Sequence, residues 1–377
     1  MSAWPGKYVI GLTGNIGTGK SVVRKMLEHL GAYGIDADAL SHRAMAQGAP
    51  GYKPVIDTFG RWLLTPDGQI DRGKLAQIVF SSPEALKQLE KIIHPLVGQA
   101  VDILVRRSTQ PVIVIEAIKL LESDLRSKCD SLWVTYASPE IQLARLVKKR
   151  GMDEATARQR IKSQPSQSEK VAAANVVIRN EGSFEDTWRQ VSAAWEKIFP
   201  SAEPAPEQAE PSIKGELTVQ RARPSQADEI AALINRLSGG RRQLNREDIM
   251  AAFGDKAFLL LTIDGRPVGV GGWKVENLVA RTDDVYLEPG LTPETALKAL
   301  MEKVEDNSRE LQCEASLLFL PPGLAKQDIM AKNMGYQLRT VQSLGVRAWQ
   351  EAAIESMPAG HKLLFKQLRQ DRVLKPV

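Results

Sequence analysis

The chain has 377 residues, 43% of them hydrophobic and 25% charged, with a formal net charge of +5. That is an ordinary composition for a folded globular protein at a length that favours two domains, and its mild positive charge suits anionic substrates without arguing a nucleic-acid partner. Two cysteines, Cys129 and Cys313, exclude a disulfide scaffold. The absence of a signal-like N-terminus and of any apolar run near ~18 residues argues against a membrane partner and for a cytoplasmic location.

The first strand is expected at 8–12. It runs into Gly14-Asn15-Ile16-Gly17-Thr18-Gly19-Lys20-Ser21, which fits the phosphate-loop pattern GxxxxGK[ST]. Val22, Val23, Met26, Leu27 and Leu30 follow at helical spacing. A loop between a strand and a helix N-terminus can wrap phosphates with backbone N–H groups, because its glycines permit the turn and the close approach. The residues from Gly14 to Val22 are therefore the expected ATP cradle. Lys20 would reach the β- and γ-phosphates, and the Ser21 hydroxyl would hold Mg2+.

The next strand, at 32–36, ends in Asp36-Ala37-Asp38. Carboxylates at the carboxyl end of a parallel strand face the edge where open α/β sheets bind ligands. One of them can accept a hydroxyl proton or hold a metal-bound water. The plainer alternative is a cap on the following helix. Further strands are expected at 112–116, 131–137 and 175–178. Their alternation with helical stretches predicts an α/β fold, a parallel sheet with helices on both faces. Residues 142–164 are rich in cations, among them Arg145, Lys148, Arg158 and Arg160. Most should lie on a solvated helix face, but an arginine from a lid over the phosphates would stabilise transferring charge. Residues 1–199 form the expected first domain. A Pro/Glu-rich stretch at 200–214 reads as a linker, and a second domain spans 215–377.

The ordered motifs of the first domain resemble dephospho-CoA kinase, the last enzyme of coenzyme A synthesis. They are the phosphate loop, the Asp36/Asp38 pair, Asp71-Arg72 followed by Leu75 and Val79-Phe80, His94-Pro95 at the close of a helix, Arg145, Ala157 to Gln164, and Asn175 to Gly182. The resemblance covers residues 7–198. It implies a P-loop nucleoside-triphosphate-hydrolase-type sheet and transfer of the ATP γ-phosphoryl to the ribose 3′-hydroxyl of dephospho-CoA. It makes Asp38 the candidate base with Asp36 its rival, and adds Lys20 and Arg145 as catalytic cations. Arg72 and His94 would contact the acceptor, Glu116 would join Ser21 at the metal, and Asn180 would help frame the adenine. Two departures stand out. Ile118-Lys119 replaces the Pro-Leu pair that the family usually carries on its third strand, and Asn175 replaces its usual Asp. Another small-metabolite P-loop kinase and a nucleotide-dependent binding module are the competing readings; the Asp36/Asp38 pair favours an enzyme.

In the second domain a strand is expected from Leu217. A helix opens at Ser225–Asp228 with the spacing of a capping box, and a hairpin over 257–263 and 267–273 follows. A strand at 282–287, a helix at 293–311, a strand at 313–320, a helix at 324–334 and final strands at 337–344 and 361–368 complete the chain. This order resembles a GNAT-like acetyltransferase fold. The loop before the long helix carries Glu288, Pro289, Pro293 and Glu294, which remove N–H donors and add negative charge where an acyl-CoA pyrophosphate would sit. A non-catalytic module is expected, with CoA or acetyl-CoA as the ligand to test.

Overall fold

The computed structural model describes residues 3–200, 215–321, 323–324 and 333–370. The expected linker and most of the expected helix at 324–334 lie outside the described residues.

The N-terminal half builds a five-stranded, all-parallel sheet from β1 (Tyr8–Thr13), β2 (Tyr33–Asp36), β3 (Val112–Glu116), β4 (Ser131–Tyr136) and β5 (Val176–Arg179), in the order β2-β3-β1-β4-β5. The central strands are buried on both faces, which explains their unbroken apolar text. Ile10, Leu12, Val112, Val114 and Trp133 face α1 (Lys20–His29) and α9 (Phe184–Ile198), meeting Val23, Met26, Leu27 and Val191. Alternate residues, Val9, Ile113, Ile115 and Leu132, face the other way. They pack against α2 (Ala37–Ala44) and α5 (Pro83–Arg107) through Leu40, Val97, Val101 and Leu104. Between these lie α3 (Tyr52–Phe59), α4 (Arg72–Ser81), α6 (Pro139–Arg150), α7 (Glu154–Lys162) and α8 (Gln167–Ala173).

One expectation fails here. The helix does not close at His94-Pro95 but continues to Arg107. A proline inside a helix removes one N–H donor and clashes with the preceding turn; the apolar seam from Ile93 through Val97, Val101 and Leu104 into the core outweighs that local cost.

The C-terminal half builds a seven-stranded sheet from β6 (Leu217–Arg221), β7 (Ala257–Ile263), β8 (Arg266–Glu276), β9 (Val279–Leu287), β10 (Ala315–Leu320), β11 (Gln337–Arg339) and β12 (Lys362–Gln367). The order is β11-β12-β10-β9-β8-β7-β6, antiparallel except for β9 beside β10. Helix α12 (Pro293–Glu310) covers one face. Three helices, α10 (Ala227–Leu237), α11 (Arg246–Phe253) and α13 (Arg347–Ser356), cover the other. Helix α10 starts at Ala227 rather than at a Ser225 cap, because a short 3-10 turn over Pro224–Gln226 uses those residues first. The expected strand at 337–344 ends at Arg339, where a 3-10 turn over Val341–Ser343 takes over.

The two halves are packed together. The β8–β9 turn places Asn277 and Leu278 at φ 52° and 60°, the left-handed region that glycine enters at least cost. The leucine side chain packs against the N-terminal core. Beside it, Arg43 of α2 forms a buried 2.6 Å ion pair with Glu314 and donates to the Asn277 carbonyl at 2.8 Å.

Candidate active site

The phosphate loop joins the end of β1 to α1. Gly14, Gly17 and Gly19 take φ values of 151°, 76° and 89°. A Cβ on Gly14 would lie 2.6 Å from the Thr135 carbonyl, so only glycine fits that close approach. Thr18 ties the loop back, its hydroxyl meeting the Asn15 carbonyl at 2.8 Å and the Thr135 hydroxyl at 2.7 Å. The Ile16 N–H donates to Gln164 at 2.7 Å and the Asn15 amide donates to the Pro165 carbonyl at 2.9 Å, which seats the α7–α8 connection on the loop. Lys20 is buried, with its amine 3.0 Å from the Gly14 carbonyl.

Arg145 and Asn180 both reach this loop. Arg145 donates to the Gly17 carbonyl at 3.1 Å and to the Asn180 carbonyl at 2.9 Å. The Asn180 amide donates to the Thr18 carbonyl at 3.0 Å. Asn175 supplies a carbonyl oxygen to the Leu132 N–H at 2.7 Å, a role that an Asp fills equally well.

Across the loop stand three carboxylates. Glu116 ends β3 and is a register partner of Asp36 on β2. It accepts from the Ser21 hydroxyl at 2.9 Å and from Arg24 Nε at 2.7 Å. Asp36 caps α2, accepting from the Ala39 N–H at 2.8 Å. Burial, followed by repulsion from Glu116, pushes its carboxyl above the ordinary range. Asp38, one turn into the site, accepts from the Ile118 N–H at 3.1 Å. Burial also raises Asp38, while Lys20 and Lys170 counteract it.

Lys170 and Arg24 escape the sequence reading. Lys170 is buried and donates to the Ile118 carbonyl at 2.8 Å, facing Asp38. Nothing in Gln167-Ser168-Glu169-Lys170 marks it out from a surface lysine; only the fold carries α8 to residue 118. Arg24 had a weak signal, as a cation on the inner turn of the loop helix. At the Ile118-Lys119 departure the backbone stays tied to Asp38, whose carboxylate accepts from the Ile118 N–H. The backbone of Ile118 is held by Asp38, Lys170 and the Thr13 hydroxyl, and the Lys119 side chain turns outward to Glu90 at 2.9 Å.

Arg72 opens α4 and is half exposed, 3.8 Å from Glu351 of α13. His94 is exposed on α5, and among the described residues no hydrogen bond or ion pair joins it to Asp38 or Arg72.

Ser21, Glu116 and Asp36 offer hard oxygen donors in the small number that Mg2+ takes when substrate phosphates and waters complete its shell. Among the described residues no cluster of three His, Cys, Asp or Glu side chains could cage a metal unaided.

A glycine loop at a helix N-terminus, faced by carboxylates at the carboxyl edge of a parallel sheet, defines a P-loop phosphotransferase. The family described as dephospho-CoA kinase matches residues 8–186. The dephospho-CoA kinase of Geobacter metallireducens is 42% identical over 192 residues, spanning 50% of this chain and 96% of that one. That of Aquifex aeolicus is 42% identical over 190 residues, with 50% and 96% covered. The chain belongs to the dephospho-CoA kinase family.

Among solved structures, a Thermus thermophilus protein aligns at 31% identity over 51% of this chain and 98% of its own, with a TM-score of 0.46. A GNAT-family acetyltransferase from Staphylococcus aureus aligns at 13% identity over 41% of this chain and 100% of its own, with a TM-score of 0.33. These scores are low, and the family assignment rests on the sequence relatives. No helix among the described residues is long and apolar enough to cross a membrane.

Proposed function

We propose that residues 1–199 form a kinase domain that transfers the γ-phosphoryl of ATP to the ribose 3′-hydroxyl of dephospho-CoA. The observation that carries this reading is Asp38, a partly buried carboxylate across the phosphate loop with Lys20 and Lys170 beside it. Phosphoryl transfer asks the protein for positioning and charge neutralisation. The loop amides and Lys20 hold the phosphates. Asp38 takes the hydroxyl proton. Asp36 is engaged in capping α2, which favours Asp38 as the base. Lys170 fixes the Ile118 carbonyl, and its charge, after that of Lys20, opposes the upward shift of the base. Arg145, anchored on the loop, stabilises charge on the moving group. Ser21 and Glu116 would hold Mg2+, with Arg24 orienting the carboxylate; the ion would neutralise β- and γ-phosphate charge. Arg72 contacts the acceptor.

Residues 215–377 form a second domain, joined through 200–214. We assign it a binding or assembly role. Its loop before α12 has Glu288 engaged with Arg266 at 2.5 Å, and Pro293 stands at the helix start. Titration of the full chain with CoA and acetyl-CoA tests whether this domain adds a site beyond the kinase one.

The test of the kinase reading is acceptor selectivity. With ATP supplied, the chain should turn over dephospho-CoA in preference to adenosine and other nucleosides. ATP binding with no turnover of dephospho-CoA would overturn it.

A further inference from the structure

Between the halves lies a groove whose floor is α2 and whose far wall is α13 of the second domain. It encloses about 610 Å³ including its open mouth. His42 on α2, Arg72 at the start of α4, and Arg347 and Glu351 on α13 line it. The two arginines come from different domains and are both roughly half exposed. Glu351 stands between them, 2.9 Å from Arg347 and 3.8 Å from Arg72. Asp67 is the other carboxylate on Arg347, at 3.9 Å.

The position of this groove relative to Asp38 has a direct chemical meaning. Asp38 and His42 are four residues apart on one helix, so they share a face and are about 6 Å apart along its axis. A nucleotide whose 3′-hydroxyl lies at Asp38 carries its 5′-pyrophosphate on the far side of the ribose, a comparable distance away. The arginine pair sits where that pyrophosphate would arrive. Ion pairs as exposed as those of Glu351 hold only weakly, whereas a phosphate takes up guanidinium groups through charge-assisted, bidentate hydrogen bonds. An incoming pyrophosphate can therefore displace Glu351 from both arginines.

We propose that the second domain completes the acceptor site: Arg347 of α13 and Arg72 of α4 together bind the pyrophosphate of the acceptor, and Glu351 occupies that place until it is displaced. This rests on the reading of Asp38 as the group that receives the acceptor hydroxyl. It gives the fused domain a part in substrate recognition, and it makes selectivity for pyrophosphate-bearing acceptors depend on residues outside the kinase domain.

The experiment is steady-state kinetics on the full chain with dephospho-CoA and ATP varied in turn. Arg347→Ala should raise KM for dephospho-CoA about tenfold, the size of one lost charge-assisted contact, while KM for ATP shifts far less. Arg347→Lys should recover part of the loss. Glu351→Gln should lower KM for dephospho-CoA about two- to fivefold, since it removes a weak competitor; a substitution that merely damaged packing would not improve binding. Unchanged KM for dephospho-CoA in Arg347→Ala, or equal rises in both KM values, would overturn the proposal and leave the kinase reading standing. No turnover of dephospho-CoA by the unaltered chain would overturn both.

Discussion

Arg43 and Glu314 form a 2.6 Å ion pair across the two halves, with side chains 9% and 1% exposed. Arg43 lies on the helix that Asp36 caps and that carries Asp38, so the anchor of the second half is also a support of the site. Breaking a buried pair from one side strands the other charge, at a cost of about 3–5 kcal/mol. Arg43→Ala should lower the unfolding free energy of the full chain by that amount, read as a lower urea midpoint, and reduce turnover as α2 loosens. Stability unchanged from that of the unaltered chain would show that the pair is not an anchor.

The base assignment predicts a pH profile. Asp38 works only when ionised, and burial holds its carboxyl above the ordinary range of ~3.9. The acidic limb of kcat/KM should therefore rise through a midpoint above that value, and activity should fall as pH drops through it. Asp38→Asn should abolish the limb and lower kcat by about 10²–10⁴-fold, the usual weight of a general base. Asp36→Asn should leave the cap of α2 nearly as strong, since an Asn oxygen still accepts from the Ala39 N–H, and should cost less in kcat than Asp38→Asn. The reverse order of kcat effects would make Asp36 the base.

Arg24 acts through Glu116. Its Nε holds one carboxylate oxygen at 2.7 Å while Ser21 occupies the other at 2.9 Å. Arg24→Gln should raise the Mg2+ concentration needed for half-maximal rate by about tenfold or more, as outer-sphere substitutions do. The KM for dephospho-CoA should move little. An unchanged Mg2+ requirement would separate Glu116 from the metal.

His29 makes the contact between halves sensitive to pH. Its Nε2–H donates to the Phe253 carbonyl at 2.8 Å and its Nδ1 accepts from Arg221 at 3.2 Å. Burial, with Arg221 adding to it, pushes the imidazole down to about 3, although Glu28 opposes the shift. Below its ordinary value of 6.5 the unfolded chain binds a proton that the folded chain refuses. Stability is thus complete above that pH and declines as pH falls, by about 1.4 kcal/mol near pH 5.5. Urea unfolding at two pH values measures this. His29→Gln, which cannot charge, should flatten the dependence.

The sequence made the nucleotide site legible because its parts are local. The phosphate loop is one continuous stretch, and the strand at 112–116 reads from its own apolar text. Asp36 ends its strand, and Asp38 follows two residues on at the start of α2. What stayed hidden depends on distant packing. Lys170 looks like any solvated lysine until α8 is laid beside residue 118. Helix α13 buries Trp349, Ala352 and Ala353, a stripe too short in apolar bulk to stand out between two strands. Yet that helix brings Arg347 and Glu351 to Arg72. His94-Pro95 misled for the opposite reason, because a local helix-stop signal yielded to a long buried seam in α5.

The most direct test of the central claim follows the label from γ-labelled ATP. With the unaltered chain it should appear on the ribose 3′-oxygen of dephospho-CoA. With Asp38→Asn transfer should fall by about a hundredfold or more while ATP still binds, as expected when a base is removed from an intact phosphate cradle. Label released only as inorganic phosphate, or transfer unaffected by Asp38→Asn, would contradict the account.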